Sequence, residues 1–175
     1  MILTMPNLLR HLLLLVSCLA LSGCAGYRLG STGGFVAGAR SIEVTAFQNQ
    51  TPEPRLTEEF STAIRQQIQR DGTLFLETRE RGDIVLEGVI TQYVRQGLTF
   101  QPRDILTVRD FEIQIIAQVK ARDRSTGEII LDRDVTGRTL VRSEIDLTEA
   151  ERRAMPLLME DLARNITDLL VNGDW

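Results

Sequence analysis

Residues 21–24 of this 175-residue chain, Leu-Ser-Gly-Cys, hold its most reactive side chain in an accessible setting. A single thiol, Cys24, follows an aliphatic residue and two small ones, with nothing bulky to keep an enzyme from it. Other reactive groups are scarce. The chain has 2 cysteines and 1 histidine. Cys18 and His11 lie upstream of Cys24, and the sole lysine, Lys120, sits in an alternating run that reads as a strand. Before Cys24, Arg10 precedes an apolar run from Leu12 to Leu21. About ten residues is half of what a membrane-spanning helix needs, and it is the length of a leader's apolar region.

An ordinary secretory leader ends in an A-x-A-like site. The ending here resembles the lipobox of bacterial lipoproteins, which implies cleavage between Gly23 and Cys24. It also implies diacylglyceryl on the Cys24 sulfur and a further acyl chain (palmitate-type) on the new amine. One acyl chain holds a protein to a bilayer only marginally, whereas two or more at one point anchor it stably. Ala25, where an Asp would signal retention, implies sorting to the outer membrane. The expected location is therefore lipid-anchored at the outer membrane, facing the periplasm. The expected organisation is a signal peptide over 1–23, a lipidated flexible tether over 24–39 and one α+β domain over 40–175.

Loss of residues 1–23 leaves no histidine and only a capped cysteine. Ser-His-Asp and Cys-His nucleophile systems, His or Cys metal sites and an internal disulfide are then all excluded. The carboxylates scatter along polar faces and helix ends, unlike the facing pair of a glycosidase. The expectation is a binding or assembly protein: not an enzyme, with no catalytic residue, metal or cofactor. Charge is uneven, with a net of −2 over residues 24–94, +2 over 95–142 and −5 over 143–175. Apart from Lys120 the basic residues are arginines, whose planar fork suits phosphate. No basic stripe interleaved with stacking aromatics marks a nucleic-acid binder.

The elements that must position these groups follow from periodicity. Ile42, Val44 and Ala46 alternate with polar residues, then Phe47 follows, predicting a strand. After "TPEP", residues Leu56, Phe60, Ile64 and Ile68, with Ala63, form a helical stripe that Asp71-Gly72 should stop. Residues 73–78 predict a short strand. Residues 84–99 read as one long strand, with Gly88 and Gly97 expected at bulges or bends. After a turn near Gln101-Pro102, residues 107–122 alternate with Phe111, Ile113, Ile115, Ala117, Val119 and Ala121 inward. A turn near Gly127 leads to a partner strand over 128–142. Thr148 and Glu151 suggest a capping box for a C-terminal helix. Its stripe is Met155, Leu158, Met159, Leu162, Ile166, Leu169 and Leu170, with Gly173 as its end. Pro156 either kinks that helix or opens a second segment.

The predicted fold is α+β. Two helices pack on one face of a mostly antiparallel sheet of four or five strands, in the order β-α-β-β-β-β-α. Strands over 84–142 outrun the helices, so part of the sheet should stand uncovered, a surface for an apolar ligand or a partner protein.

Cys24 followed by "GYRLG", then "SIEVTAFQNQTPEPRLTEEF", "RDGTLFL", "GDIVLEGVITQY" and "STGEIILDRDV" ahead of an amphipathic helix, resembles the LptE family. Those are outer-membrane lipoproteins of lipopolysaccharide assembly. The resemblance implies two helices on a four-stranded sheet and no catalysis. It implies a plug inside the LptD β-barrel that helps the barrel assemble, and binding of lipopolysaccharide through basic residues on the sheet and its loops. Arg95, Arg103, Arg109, Arg138 and Arg142 lie in the matching region. Their alternative is a solvated strand face paired with Asp104, Asp110 and Asp134. The net acidity departs from what a lipopolysaccharide binder suggests and weakens direct binding more than the plug. "VTAFQNQTPEP" and "GDIVLEGVI" also resemble CsgG-type secretion lipoproteins and periplasmic activators of penicillin-binding proteins. Residues 95–110 are too charged and short for the membrane hairpin of the former. The tether at 25–39 lacks the long Pro-rich reach of the latter.

Overall fold

The computed structural model describes residues 39–101, 104–142 and 146–172, with backbone alone at 99–101 and 104–109. Cys24, the leader, residues 24–38 of the tether, Pro102, Arg103 and Gly173 lie outside the described residues. The elements are β1 (Ser41–Val44), β2 (Gln48–Asn49), α1 (Leu56–Asp71), β3 (Phe75–Glu77), β4 (Ile84–Gln101), β5 (Asp104–Asp123), β6 (Ile129–Arg142) and α2 (Leu147–Asn172). This is the order read from the sequence, with β2 as a short continuation of the first strand.

The sheet is larger than expected, and it is mixed. Its order is β3-β1-β4-β5-β6, and β2 pairs with β4 as a sixth strand. β1 runs parallel to both β3 and β4, and β2 is parallel to β4. β4-β5 and β5-β6 are antiparallel. The parallel half follows from α1, since a helix between β1 and β3 returns the chain to its starting end before the next strand begins. The loop from β3 must then pass β1 to start β4. Gly82 makes that passage, because a Cβ there would stand 2.5 Å from the Glu43 backbone nitrogen.

The α1 stripe is buried as its spacing demands: Leu56, Phe60, Ala63, Ile64 and Ile68 are all 9% exposed or less. Gly72 ends the helix in the left-handed region (φ 72°), its N–H donating to the Ile68 carbonyl at 3.1 Å. At the other end Arg55 adopts φ 73° with no side-chain cap. α2 is one continuous helix through Pro156. Its first turn departs from the expected capping box. Asp146 is the cap, its Oδ1 accepting from the Thr148 N–H at 2.9 Å, while Glu151 turns elsewhere.

One core joins the layers. Ile42 and Val44 lie beside Ile84 and Leu86, Leu86 and Ile90 lie opposite Ala121 and Ala117, and Val119, Ile115 and Ile113 continue the same buried face. Leu158, Leu162, Ile166 and Leu170 of α2 cover them and the inward face of β6. Gly137 lets α2 approach the sheet, since a Cβ there would lie 2.7 Å from Leu162 Cβ and 2.8 Å from its nitrogen. Gly88 is no bulge. It is a slot for the Phe47 ring, which meets Phe60 edge-on with centroids 4.7 Å apart. One bulge falls at Thr91, where the register slips between Ile90 and Gln92, and Gly97 does mark another shift, between Gly97 and Thr99.

Candidate functional site: the uncovered end of the sheet

The Thr91 bulge divides β4 into two halves of different character. Before it, Ile84, Leu86, Gly88 and Ile90 face the helices; beyond it, the inward positions pass to Tyr93, Arg95 and Gly97. Those three lie opposite Ile115, Ile113 and Phe111 of β5. β4 and β5 pair on beyond Arg142, the last residue of β6, and on the face turned away from the helices Val94 is 40% and Leu140 68% exposed, with Leu98 of β4 45% exposed. Register sets this outer face in rows. Val94, Gln114 and Arg138 form one, Gln96, Glu112 and Leu140 the next, and Asp110 and Arg142 the last. Apolar side chains thus stand in the open beside arginines, as a surface that meets both acyl chains and anions requires.

The five candidate arginines are not brought together as one cluster. Arg95 points to the helix side and clamps β4. Its guanidinium lies 2.6 Å from Glu151 Oε1 and 3.0 Å from Glu53 Oε1, and 5.3 Å from the Tyr93 ring centre. Burial alone would lower the Arg95 pKa, but Glu151 and Tyr93 outweigh it and the value rises. Burial, then Glu151, pushes the Tyr93 phenol up. The clamp therefore stays charged at Arg95 and neutral at Tyr93 across physiological pH. Arg138 and Arg142 lie on the outer face, and Arg142 Nε donates to Asp110 Oδ1 at 3.0 Å. Arg109 lies in β5, and only its backbone is described. Of the carboxylates named as alternative partners, Asp110 takes that part, while Asp134 lies opposite Gln118.

The far end of the sheet is tied shut. Asp123 pairs with Arg40, and Glu43 pairs with Arg124. Asp123 Oδ1 also accepts from the Ser125 hydroxyl at 2.6 Å and the Thr126 N–H at 3.0 Å, which hold its pKa far below the usual carboxylate range. Asp83 is lowered as well, first by the Ser41 N–H and then by the Ser41 hydroxyl, both at 2.8 Å. These groups satisfy one another and close the β5-β6 turn against β1. They offer no open valence to a ligand.

Sequence periodicity anticipated an uncovered end but missed Val94, Leu98 and Leu140. The exposure of Val94 follows from Thr91, and a bulge at a threonine within a β-branched run leaves no compositional mark, while Leu140 is the outward member of the β6 alternation. No helix among the described residues is long and apolar enough to cross a membrane.

Comparison with known proteins adds three findings. A family model described as LptE, lipopolysaccharide-assembly, matches residues 39–170. No curated protein matches the chain. Among solved structures, a hypothetical protein from Chlamydia trachomatis is similar in fold, with TM-score 0.55 and 12% identity over 74% of this chain and 94% of its own. A minor lipoprotein from Acinetobacter baumannii is similar at TM-score 0.50 and 15% identity, over 75% of this chain and 91% of its own. At such identities the likeness is one of fold.

Proposed function

The chain belongs to the LptE lipopolysaccharide-assembly family, and on that premise we propose a non-catalytic lipoprotein role at the outer membrane. Acyl chains on Cys24 tie the domain to the inner leaflet, and the domain plugs and helps assemble an LptD-like β-barrel. The uncovered end of the sheet assists passage of lipopolysaccharide. One observation carries this reading: the face of β4, β5 and β6 turned away from the helices exposes Val94 and Leu140 beside Arg138 and Arg142.

The chemistry suits an amphiphile. Guanidinium forks pair bidentately with phosphate oxygens, while the apolar side chains in the neighbouring rows take up acyl surface. Of the net −5 over residues 143–175, α2 carries −2, and Glu144, Asp146 and Asp174 carry the rest. A barrel lumen would give the domain a second wall and cover apolar surface that water now meets.

Two experiments test the role. Cys24→Ala should leave the protein in the soluble fraction, and mass spectrometry of native material should find an acylated Cys24 at the mature N-terminus. A variant that stays in the outer membrane, or an intact leader with a bare sulfur, would contradict the anchor. Arg138→Glu with Arg142→Glu should weaken lipopolysaccharide binding about tenfold or more, as losing two charge-assisted contacts predicts. Unchanged affinity would assign both arginines to a solvated face.

A further inference from the structure

β6 is one outer strand of the sheet, and its free edge is treated differently along its length. The β5-β6 register is regular from Leu131 to Arg142, so alternate residues turn their N–H and C=O away from β5. Thr136, Arg138 and Leu140 belong to that set. At the start of the strand Asp132, Arg133 and Asp134 are all exposed charges, which discourage edge pairing. In the middle, α2 caps the edge directly. Asp161 Oδ2 accepts from the Arg138 N–H at 2.9 Å, and Asn165 Nδ2 donates to the Thr136 carbonyl at 2.8 Å. At Leu140 no side chain among the described residues caps the edge. The Leu140 N–H and C=O meet no partner among the described residues, and its side chain is 68% exposed.

An edge blunted by charges, then by two dedicated side chains, and uncapped at Leu140 among the described residues offers a place for an added strand. We propose that Arg138–Arg142 of β6 accepts an extended segment of another protein, paired by backbone hydrogen bonds at Leu140. The incoming strand carries carboxylates opposite Arg138 and Arg142 and an apolar residue opposite Leu140. Charge selects this occupant over a second copy of the chain. Antiparallel pairing of two β6 strands about Leu140 would set Arg138 of one copy against Arg142 of the other on the same face, where like charges repel. Directly opposite carboxylates are attractive there, and main-chain bonds supply the rest. This inference does not rest on the lipopolysaccharide reading: both use the Arg138 and Arg142 side chains, but only this one needs the backbone edge at Leu140.

The test uses the full mature protein in detergent micelles with two synthetic peptides, Thr-Glu-Thr-Val-Thr-Glu-Thr and its counterpart with Lys for Glu. The Glu peptide should slow amide exchange at Leu140 about tenfold while leaving the Arg138 amide, already held by Asp161, unchanged. The Lys peptide should leave both unchanged. Arg138→Glu should weaken the Glu peptide about tenfold and admit the Lys peptide. Asp161→Ala with Asn165→Ala should uncap the edge and extend protection to the Arg138 amide. Absence of binding at millimolar peptide, equal binding of both peptides, binding without protection of Leu140, or dimers joined through β6 would each overturn the proposal. Lipopolysaccharide affinity, read separately, tells failure here from failure of the proposed function.

Discussion

The covered and uncovered halves of the sheet are built from the same three strands, yet they obey different rules. Before the bulge the inward positions on β5 from Ala117 to Ala121 are apolar and fully buried, and Ile115 and Ile113 stay at most 1% exposed opposite Tyr93 and Arg95. Past the Thr91 bulge the inward positions on β4 become Tyr93, Arg95 and Gly97, and the outer face acquires Val94 and Leu140. The first half is made to hold itself together. The second half is made to be held by something else. A clamp at Arg95 joins them, holding β4 to Glu53 between β2 and α1 and to Glu151 near the start of α2.

That contrast can be broken in order of expected effect. Leu162→Ala, in the covered half, should cost about 2–5 kcal/mol of unfolding free energy in urea titrations, because the side chain is fully buried against Gly137 and the sheet. Gly137→Ala should cost about 1–3 kcal/mol, since the new methyl meets α2 backbone that cannot swing aside. Arg95→Ala should cost about 1–2 kcal/mol, because the Glu151 side chain is only 12% exposed and loses its counter-charge. Lowering pH probes the closed end. Asp83 and Asp123 have lowered folded-state pKa values, so their contribution is present above the ordinary carboxylate value of 3.8 and fades as pH falls below it. Asp123→Asn should flatten that acid limb in melting curves and leave the neutral-pH limb unchanged in slope. Leu140→Ser, in the uncovered half, should shift stability by no more than about 0.5 kcal/mol.

The covered half was largely legible in the sequence. Four-residue spacing from Leu56 to Ile68 and strict alternation from Phe111 to Ala121 are the local signatures of one buried face, and each ended up in the core. The Gly72 stop was equally plain, because only the residue's freedom at positive φ was needed to read it. The parallel half of the sheet was not legible. Pairing of β1 with β3 and β4 is a non-local outcome of where α1 returns the chain, and three-residue strands such as Phe75–Glu77 carry no directional signal. Two local signals also misled. Thr148 and Glu151 have capping-box spacing, but Asp146 caps the helix and Glu151 serves Arg95. Gly88 suggested a bulge but makes room for Phe47. At the site itself, counting arginines gave candidates without geometry. Register showed that Arg95 braces the fold from the helix side, whereas Arg138 and Arg142 share the outer face.

The most direct trial of the uncovered end is recovery of its partner. Full-length protein with native Cys24 would be extracted in detergent and captured beside a variant carrying Val94→Ser and Leu140→Ser. The co-purifying protein would be identified by mass. The account predicts a large β-barrel protein with the wild type, its loss with the double variant, and the same melting temperature for both. Equal recovery of the barrel by the two forms, or recovery of a cell-wall synthase in its place, would contradict it.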